Sequence, residues 1–334
     1  MSRTFKLMLG IVISLVAVWF SMRDVRPVEV WEALQSAHYG GFAIVMLLTI
    51  TGFWIRAFRW RWLIATPKPL GLDSLFSATM IGFMANNLLP LRLGEFVRAW
   101  ALGRREQMSK TTVFATVVVE RVIDMITLLG VLALSLIVHP LAESTEAGRM
   151  VSAGAGVLMV SCVVLTIVLV AVERSPAFMH RVVGLVSRVL PARVRPRAEH
   201  MLEHFLVGLG LFRRLGTLAW VFLLSFIMFG TYALALQIAM IAVGITVPWY
   251  AGLVMLVITA IGIMVPAAPG YIGTLNLACV AGLALFGVGK DQSVPFSWFY
   301  WLSQWLPISL VGLYYLRREG LSLRSLGEAG GPTA

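Results

Sequence analysis

Long apolar runs recur along this chain, and they restrict it to one class of fold. Several exceed the ~20 residues that a helix needs to cross the hydrocarbon core of a bilayer, for example residues 216–243. Inside a bilayer every backbone N–H and C=O needs a partner within the protein, which leaves helices and closed barrels. The alternating ten-residue pattern of barrel strands does not occur in this sequence. The sequence therefore predicts an all-α fold, a polytopic transmembrane helical bundle.

Composition supports this prediction, and the apolar runs indicate the number of helices. Hydrophobic residues make up 59% of the 334 residues and charged residues 13%, about half the ~25% charge of a soluble domain. The first apolar run resembles a signal sequence, but no small-residue cleavage pattern follows it. We therefore expect it to be retained as the first helix. About eight helices are predicted, over 5–22, 41–64, 111–139, 147–172, 216–243, 249–266, 270–288 and 294–316. Residues 73–102 form an additional segment, too polar at its end to span a membrane and too apolar for a loop.

The basic residues predict topology rather than nucleic-acid binding. The net charge is +11, but the bases lie beside apolar spans and no RNA- or DNA-binding module is present. Lys and Arg are abundant in loops 65–110 and 173–215 and absent from 140–146 and 244–248. The positive-inside rule therefore places the basic loops and both termini in the cytoplasm, in a protein of the plasma (inner) membrane.

The domain organisation is expected to be simple. We predict one integral membrane domain over 1–320, followed by a flexible cytoplasmic tail over 321–334. Arginines interleave with apolar residues in 173–215, which predicts a cytoplasmic amphipathic loop at the membrane surface. Within it His200, Glu203 and His204 match an H-x-x-E-H zinc pattern. No third ligand accompanies them, so a solvated helix face is the favoured interpretation and no metal is expected.

Residues 86–98 interrupt an apolar run with two amides, a proline, a glycine and three charges. Arg92, Glu95 and Arg98 are spaced three apart, so on a helix they lie along one face with the acid between two bases. A charge near the bilayer centre costs at least ~2.5 kcal/mol, so such residues normally face a protein or water-filled interior. This stretch predicts a place that holds something polar inside the membrane.

A second interruption lies at 266–273, where two prolines and two glycines prevent a continuous helix. Its freed backbone groups need partners at membrane depth. Segments 249–266 and 270–288 either both span the membrane or form one re-entrant hairpin, and the sequence leaves both open. Paired Pro/Gly-broken segments in the two halves of a chain indicate the central site of a transporter.

A charged group interrupts the predicted helix 111–139. Glu120 and Asp124 are four residues apart and share a helix face, with Arg121 beside them. One interpretation is an intramembrane polar site or proton relay. The other is a structural cluster that pairs with Arg92 or Arg98 and joins two helices. The two interpretations are compatible.

Arginines and tryptophans alternate at the end of the second predicted helix. The favoured interpretation is an interfacial belt in which the arginines extend their charged ends to the membrane surface. The alternative is capture of a lipid phosphate, whose geometry matches the guanidinium fork. Arg56 lies deepest and is the best candidate for that contact. The residues concerned are Trp54, Arg56, Arg59, Trp60, Arg61 and Trp62.

These motifs resemble those of a flippase-like family built on the transmembrane region of lysylphosphatidylglycerol synthases, which also includes hopanoid-biosynthesis-associated membrane proteins. The resemblance rests on residues 59–62, 87–95 with Arg98, 120–124 and 269–274. It implies a helical membrane fold that moves or presents amphiphilic lipids between leaflets. The cytosolic aminoacyl-transferase domain of the synthases has no counterpart here, so we expect neither enzyme activity nor a cofactor.

We therefore expect a flippase or transporter that moves an anionic or polyprenyl/isoprenoid-type lipid, with membrane lipids as its partners. Two alternatives stay open: a non-catalytic accessory subunit that binds lipid-biosynthesis enzymes, and an intramembrane transferase with Glu95 or Asp124 as base. In the transporter hypothesis the bases meet phosphate, the acids balance charge or carry a proton, and backbone N–H groups near 270–274 face an anion. The predicted lipid-headgroup and transport site comprises Asn87, Pro90, Arg92, Glu95, Arg98, Glu120, Arg121, Asp124, Pro269, Gly270 and Gly273, with Arg56 as a secondary phosphate contact.

Overall fold

The computed structural model describes residues 3–23, 25–64, 69–89, 93–138, 160, 164, 215–264, 268–323 and 326. Within these ranges the regular elements are ten α-helices and one short 3-10 turn, so the all-α prediction is confirmed. The helices are α1 Arg3–Met22, α2 Pro27–Ser36, α3 Tyr39–Leu63, α4 Leu72–Leu88, α5 Gly94–Arg105, α6 Lys110–Val138, α7 Leu215–Ala242, α8 Ala251–Met264, α9 Thr274–Ala284 and α10 Lys290–Arg318.

Most predicted helices match observed ones closely, because hydropathy defines long apolar helices well. Helices α1, α3, α6, α7 and α8 agree with the predicted spans to within two residues at each end. Helix α10 is longer than predicted, and α9 is shorter because the turn Pro269–Tyr271 precedes it. The predicted helix 147–172 lies outside the described residues, apart from the helical Val160 and Val164, as does loop 173–214.

Two features differ from the predicted pattern. The segment 73–102 is two helices, α4 and α5, rather than one, with residues 90–92 of the intervening break outside the described ranges. Helix α2 was not predicted, since it is only ten residues long and carries two glutamates. It begins with a proline, which costs nothing at a first helical position, and it buries Val30 against Val280 and Val294.

Two of the described helices have both the length and the hydropathy of membrane spans. They are Tyr39–Leu63 and Gly216–Ala242, with hydropathies of 1.8 and 2.0. Three apolar helical stretches are shorter: Val12–Met22 within α1, Ala251–Met264, and Pro269–Ala284, which includes the 3-10 turn before α9. Large apolar side chains such as Leu47 and Met264 are mostly exposed, as expected where a helix surface faces lipid rather than water.

The chain divides into two compact units. Unit 1 comprises Met1–Trp54, Ser77–Arg98 and Met228–Ala334, and unit 2 comprises Ile55–Phe76 and Ala99–Ile227. The single domain expected over 1–320 stays a prediction.

Small residues allow the helices of unit 1 to pack closely. Helix α9 contacts α1, α8 and α10. A Cβ atom added at Gly282 of α9 would lie 2.5 Å from the sulfur of Met255, and one at Gly312 of α10 would collide with the side chain of Met84. Small residues at helix contacts are typical of membrane bundles, where they let backbones approach. This close packing brings both helix breaks onto α10.

Candidate functional site

The residues predicted for one site fall into both units. Pro90 and Arg92 lie outside the described residues. Unit 1 holds Asn87, Glu95, Arg98, Pro269, Gly270 and Gly273, whereas unit 2 holds Arg56, Glu120, Arg121 and Asp124. The predicted residues thus form two groups, one in each unit.

The first break in unit 1 separates α4 from α5 and is closed by an amide. The side-chain oxygen of Asn86 accepts a hydrogen bond of 2.8 Å from the backbone N–H of Gly94, the first residue of α5. Helix N-termini have backbone donors without intrahelical partners, so this bond satisfies one of them. A Cβ at Gly94 would collide with the Gly82 carbonyl and come 2.5 Å from the Asn86 side chain. The break therefore requires glycine at this position.

The second break separates α8 from α9 and has an unusual backbone. Gly270 and Gly273 have φ angles of 73° and 86°, a region that glycine adopts without steric cost. The backbone N–H of Ala268 donates to Ser14 Oγ of α1 at 2.7 Å, so α1 is part of the structure around this break. The N–H of Gly273 donates to Asn276 Oδ1 at 3.0 Å.

These bonds change one expectation. The backbone N–H groups near 270–274 were expected to face an anion. Instead, the N–H of Tyr271 donates to the Ala268 carbonyl and that of Gly273 to Asn276. Backbone donors inside a membrane are costly to leave unsatisfied, so the protein supplies its own acceptors.

Both breaks meet on the middle of α10. Asn87 Nδ2 donates to Ser309 Oγ at 3.1 Å, and Trp301 Nε1 donates to the Gly270 carbonyl at 2.8 Å. A Cβ added at Gly270 would lie 3.1 Å from Trp305 and 3.4 Å from the Asn87 carbonyl. We call these five residues the break junction: Asn87, Gly270, Trp301, Trp305 and Ser309. Asn87 and Gly270 were predicted, whereas the three residues of α10 were missed.

The other predicted residues of unit 1 follow one break or the other. Glu95 is half-buried in the first turn of α5, and Arg98 is buried one turn later. The backbone of α5 crosses α4 closely there, since a Cβ on Gly82 would lie 2.7 Å from the Cβ of Arg98. Pro269 begins the 3-10 turn, and Gly273 packs against the Ser14 carbonyl.

Unit 2 contains the charged residues of α6, and they bind arginines of α3. Arg56 Nη1 contacts Glu120 Oε1 at 2.5 Å and Asp124 Oδ2 at 2.8 Å. Arg59 Nη2 contacts Asp124 Oδ1 at 2.7 Å, and its Nη1 donates to Ser225 Oγ of α7 at 2.6 Å. We call the five charged residues the charged cluster: Arg56, Arg59, Glu120, Arg121 and Asp124.

Burial differs sharply within the charged cluster. The side chains of Arg59 and Glu120 are 0% exposed, whereas that of Arg121 is 39% exposed. Arg121 Nη2 lies 3.2 Å from Glu120 Oε1, an oxygen that Arg56 also contacts. Three guanidinium groups thus contact two carboxylates, which leaves one excess positive charge. Arg121 is the most exposed of the three arginines.

These contacts extend one sequence interpretation and correct another. The structure adds Arg56 and Arg59 as partners of Glu120 and Asp124, and the expected pairing with Arg92 or Arg98 stays a prediction. The interfacial belt is wrong for Arg56, Arg59 and Trp60, which are buried. They lie at i, i+3 and i+4, one face of a helix, and that face packs toward α6, where Trp60 donates to Thr116 at 2.9 Å.

The remaining belt residues are exposed, and their position at a membrane interface stays a prediction. Trp54 and Trp62 are 47% and 41% exposed, and Arg61 is exposed beside them. Among the described residues no group of three or more His, Cys, Asp or Glu side chains is placed to hold a metal ion. The His200–His204 pattern lies outside the described ranges.

Comparison with known proteins agrees with this architecture. The sequence model of the family described as "Lysylphosphatidylglycerol synthase TM region" matches residues 7–312. A "UPF0104 membrane protein" of Methanothermobacter thermautotrophicus is 34% identical over 120 residues, which cover 34% of this chain and 35% of that relative. The match thus spans about a third of the relative's length. Because the family match covers both units and nearly the whole chain, this chain is a membrane protein that belongs to the family of the lysylphosphatidylglycerol synthase transmembrane region.

Proposed function

We propose that this protein is a lipid flippase or transporter without enzymatic activity of its own, and that it moves anionic or isoprenoid-type lipids between membrane leaflets. The observation that carries the proposal is the break junction. Two helices end at these breaks, and hydrogen bonds of Asn87 and Trp301 attach both ends to the central part of α10. Broken helices that meet in this way are typical of the central sites of transporters.

The position of the junction supports the proposal. Trp301 to Ser309 lie in the central part of α10, which spans Lys290–Arg318. Irregular backbone at membrane depth is tolerated only where it is buried in protein or lines a water-filled cavity. A polar site near the middle of a helix as long as α10 is what a carrier needs to accept a headgroup from either leaflet.

The charged cluster is the second part of the proposal. Charged residues inside membrane helices usually mark substrate paths or are paired with each other. Here Glu120 and Asp124 are held by buried arginines, while Arg121 stays partly exposed. We assign Arg121 to the phosphate of the cargo, because the guanidinium fork matches phosphate geometry. In unit 1 we assign Arg92, Arg98 and Glu95 to headgroup contacts, and in unit 2 Arg56 holds the charged cluster together.

The proposed location is the plasma membrane with both termini in the cytoplasm, as the basic loops predict. Cysteine labelling of single-cysteine variants in intact cells and in inverted vesicles tests this topology. Labelling at the chain ends only after inversion supports it, and labelling in intact cells contradicts it.

Reconstitution tests the transport activity. Purified protein is placed in liposomes that contain a fluorescent phosphatidylglycerol, and an outer-leaflet quencher is added. We expect protein-containing vesicles to lose nearly all fluorescence, whereas protein-free vesicles keep the inner-leaflet signal. Glu95→Gln and Arg98→Ala should slow this loss. Arg104→Ala is the matched control for Arg98→Ala, because Arg104 is exposed on the same helix.

Three outcomes decide against the proposal. If no candidate lipid is translocated, or if Glu95→Gln and Arg98→Ala fold and translocate normally, transport through this site is refuted. A covalently altered lipid in the vesicles would favour the transferase. Co-purification with a lipid-biosynthesis enzyme, without activity of the isolated protein, would favour the accessory subunit.

A further inference from the structure

Two tryptophans of the break junction lie at an unusual position in their helix. Tryptophan in membrane proteins is enriched at the two membrane–water interfaces. Trp301 and Trp305 instead lie in the middle of α10, more than ten residues from either end of Lys290–Arg318. Both are only partly buried. A large side chain with a polar N–H at this position needs a reason other than interfacial anchoring.

The two indoles form one aromatic surface. Their ring centroids are 5.7 Å apart with an interplanar angle of 25°, a stacked arrangement. Trp298 meets the edge of Trp301 at 5.8 Å and packs on the apolar cluster of Val30, Val280 and Val294, which holds one end of the stack. The Trp301 N–H is bound to the Gly270 carbonyl. We call Trp301 and Trp305 the tryptophan platform.

Among the described residues, the polar side chains that are hydrogen-bonded at and beside this platform are uncharged. Asn87 and Ser309 are hydrogen-bonded to each other, and Gln304 donates to Thr49 of α3 at 2.8 Å. Along α10 the charged residues are confined to its first and last two positions, Lys290, Asp291, Arg317 and Arg318. The platform therefore combines aromatic faces with amide and hydroxyl groups and sets no side-chain charge of α10 beside its ligand.

From this chemistry we infer that the tryptophan platform binds the sugar ring of a glycosylated lipid headgroup. This inference rests on the proposed function and names the cargo of its site. Ligand sites between helices are mostly aromatic and apolar, with a few polar groups that set orientation. The flat C–H face of a sugar ring covers an indole face, and its hydroxyls exchange hydrogen bonds with groups such as Asn87 and Ser309. An uncharged headgroup also avoids the cost of a charge inside a membrane.

The test compares three fluorescent lipids with identical acyl chains: a glucosyl diacylglycerol, phosphatidylglycerol and phosphatidylcholine. The protein is purified in a detergent without sugar and reconstituted. We expect the glucosyl lipid to be translocated fastest. Trp305→Leu should lower its rate about tenfold, as for the loss of one aromatic contact of about 1.4 kcal/mol, and lower the phosphatidylglycerol rate by clearly less, so that the preference for the glucosyl lipid is lost. Trp305→Phe should retain most of the activity.

Trp249→Leu is the matched control, because Trp249 is 68% exposed and lies outside the junction. It should change none of the three rates. Preference for phosphatidylcholine that is lost in Trp305→Leu would overturn the inference in favour of an ammonium ligand bound by cation–π contact. Equal slowing of all three lipids would overturn it in favour of a packing role.

A binding measurement separates this inference from the proposed function. The glucosyl lipid should raise the Tm of the wild-type protein and not that of Trp305→Leu, whereas phosphatidylcholine should shift neither. If no lipid is translocated but this difference is found, the transport proposal fails and the sugar site stands. If both proteins shift equally, or neither shifts, the sugar site is refuted.

Discussion

The break junction and the charged cluster both place polar groups inside an apolar helical protein, but they stabilise them in opposite ways. At the junction the polar groups are backbone groups and uncharged side chains. The backbone groups are free of helical hydrogen bonds because glycines with positive φ, such as Gly270, break the helix. In the cluster the helices are unbroken, and full charges on Glu120 and Asp124 are matched by arginines. The stability of the junction therefore depends on the backbone conformation of glycine, whereas the stability of the cluster depends on the balance of its charges.

The difference matters for function. An uncharged junction can rearrange by exchanging hydrogen bonds of about 0.5–1.5 kcal/mol each. Removing one partner of a buried ion pair costs far more, about 3–5 kcal/mol. Under the proposed transport function we therefore expect the junction to change and the cluster to stay fixed.

The largest expected effect comes from Glu120→Ala. Glu120 is 0% exposed and contacts Arg56 and Arg121, so its loss leaves excess buried positive charge and should cost about 3–5 kcal/mol of unfolding free energy. Asp73→Ala is the control, because Asp73 pairs with Arg105 at 2.8 Å but its side chain is 43% exposed. That pair should be worth at most about 1 kcal/mol. Denaturant unfolding in detergent measures both, and equal losses would contradict a fixed cluster.

Gly270→Ala should have the next largest effect. The new alanine must adopt a φ of 73°, and its Cβ lies 3.1 Å from Trp305. We therefore expect the free energy of unfolding to fall by about 2–3 kcal/mol. Gly287→Ala is the control, since Gly287 has a φ of 74° and open space around it. It should lose only the backbone term of about 1–2 kcal/mol. Equal values for the two variants would show that the junction is not tightly packed.

Ser14→Ala should have a moderate effect on the junction side. It removes the acceptor of the Ala268 N–H, and an unsatisfied buried donor costs about 1–3 kcal/mol. Hydrogen exchange at residue 268 should accelerate as well. Ser21→Ala is the control on the same helix, because Ser21 donates only to the Val18 carbonyl one turn earlier. If exchange at residue 268 is unchanged in Ser14→Ala, α1 does not hold the second break.

The smallest effect on stability is expected for Arg121→Gln. Its side chain is 39% exposed, and Glu120 and Asp124 keep Arg56 and Arg59, so the loss should stay below about 1 kcal/mol. Translocation of phosphatidylglycerol should nevertheless fall clearly. Arg61→Gln, an exposed arginine of α3, should change neither quantity. A strong loss of stability in Arg121→Gln would place Arg121 among the structural ion pairs.

The sequence predicted individual polar residues better than their partners. Glu120 and Asp124 were recognised as a cluster because their spacing places them on one helix face. Arg59 was assigned to the membrane surface, because alternation with tryptophan is typical of interfacial belts. Only the packing of α3 shows that position 59 faces inward. Trp301 and Trp305 were missed, because nothing in the local pattern connects them with Gly270.

By itself, the sequence determined the class of fold, the positions of most helices and the two places where helices must break. These follow from the length of the apolar runs and from proline and glycine, which act within a few residues of the chain. The tertiary structure alone decided which groups satisfy the breaks and the charges: Ser14, Trp301 and Ser309 at the junction, Arg56 and Arg59 in the cluster. Such partners lie far apart in sequence, and only the packing of helices brings them within hydrogen-bonding distance.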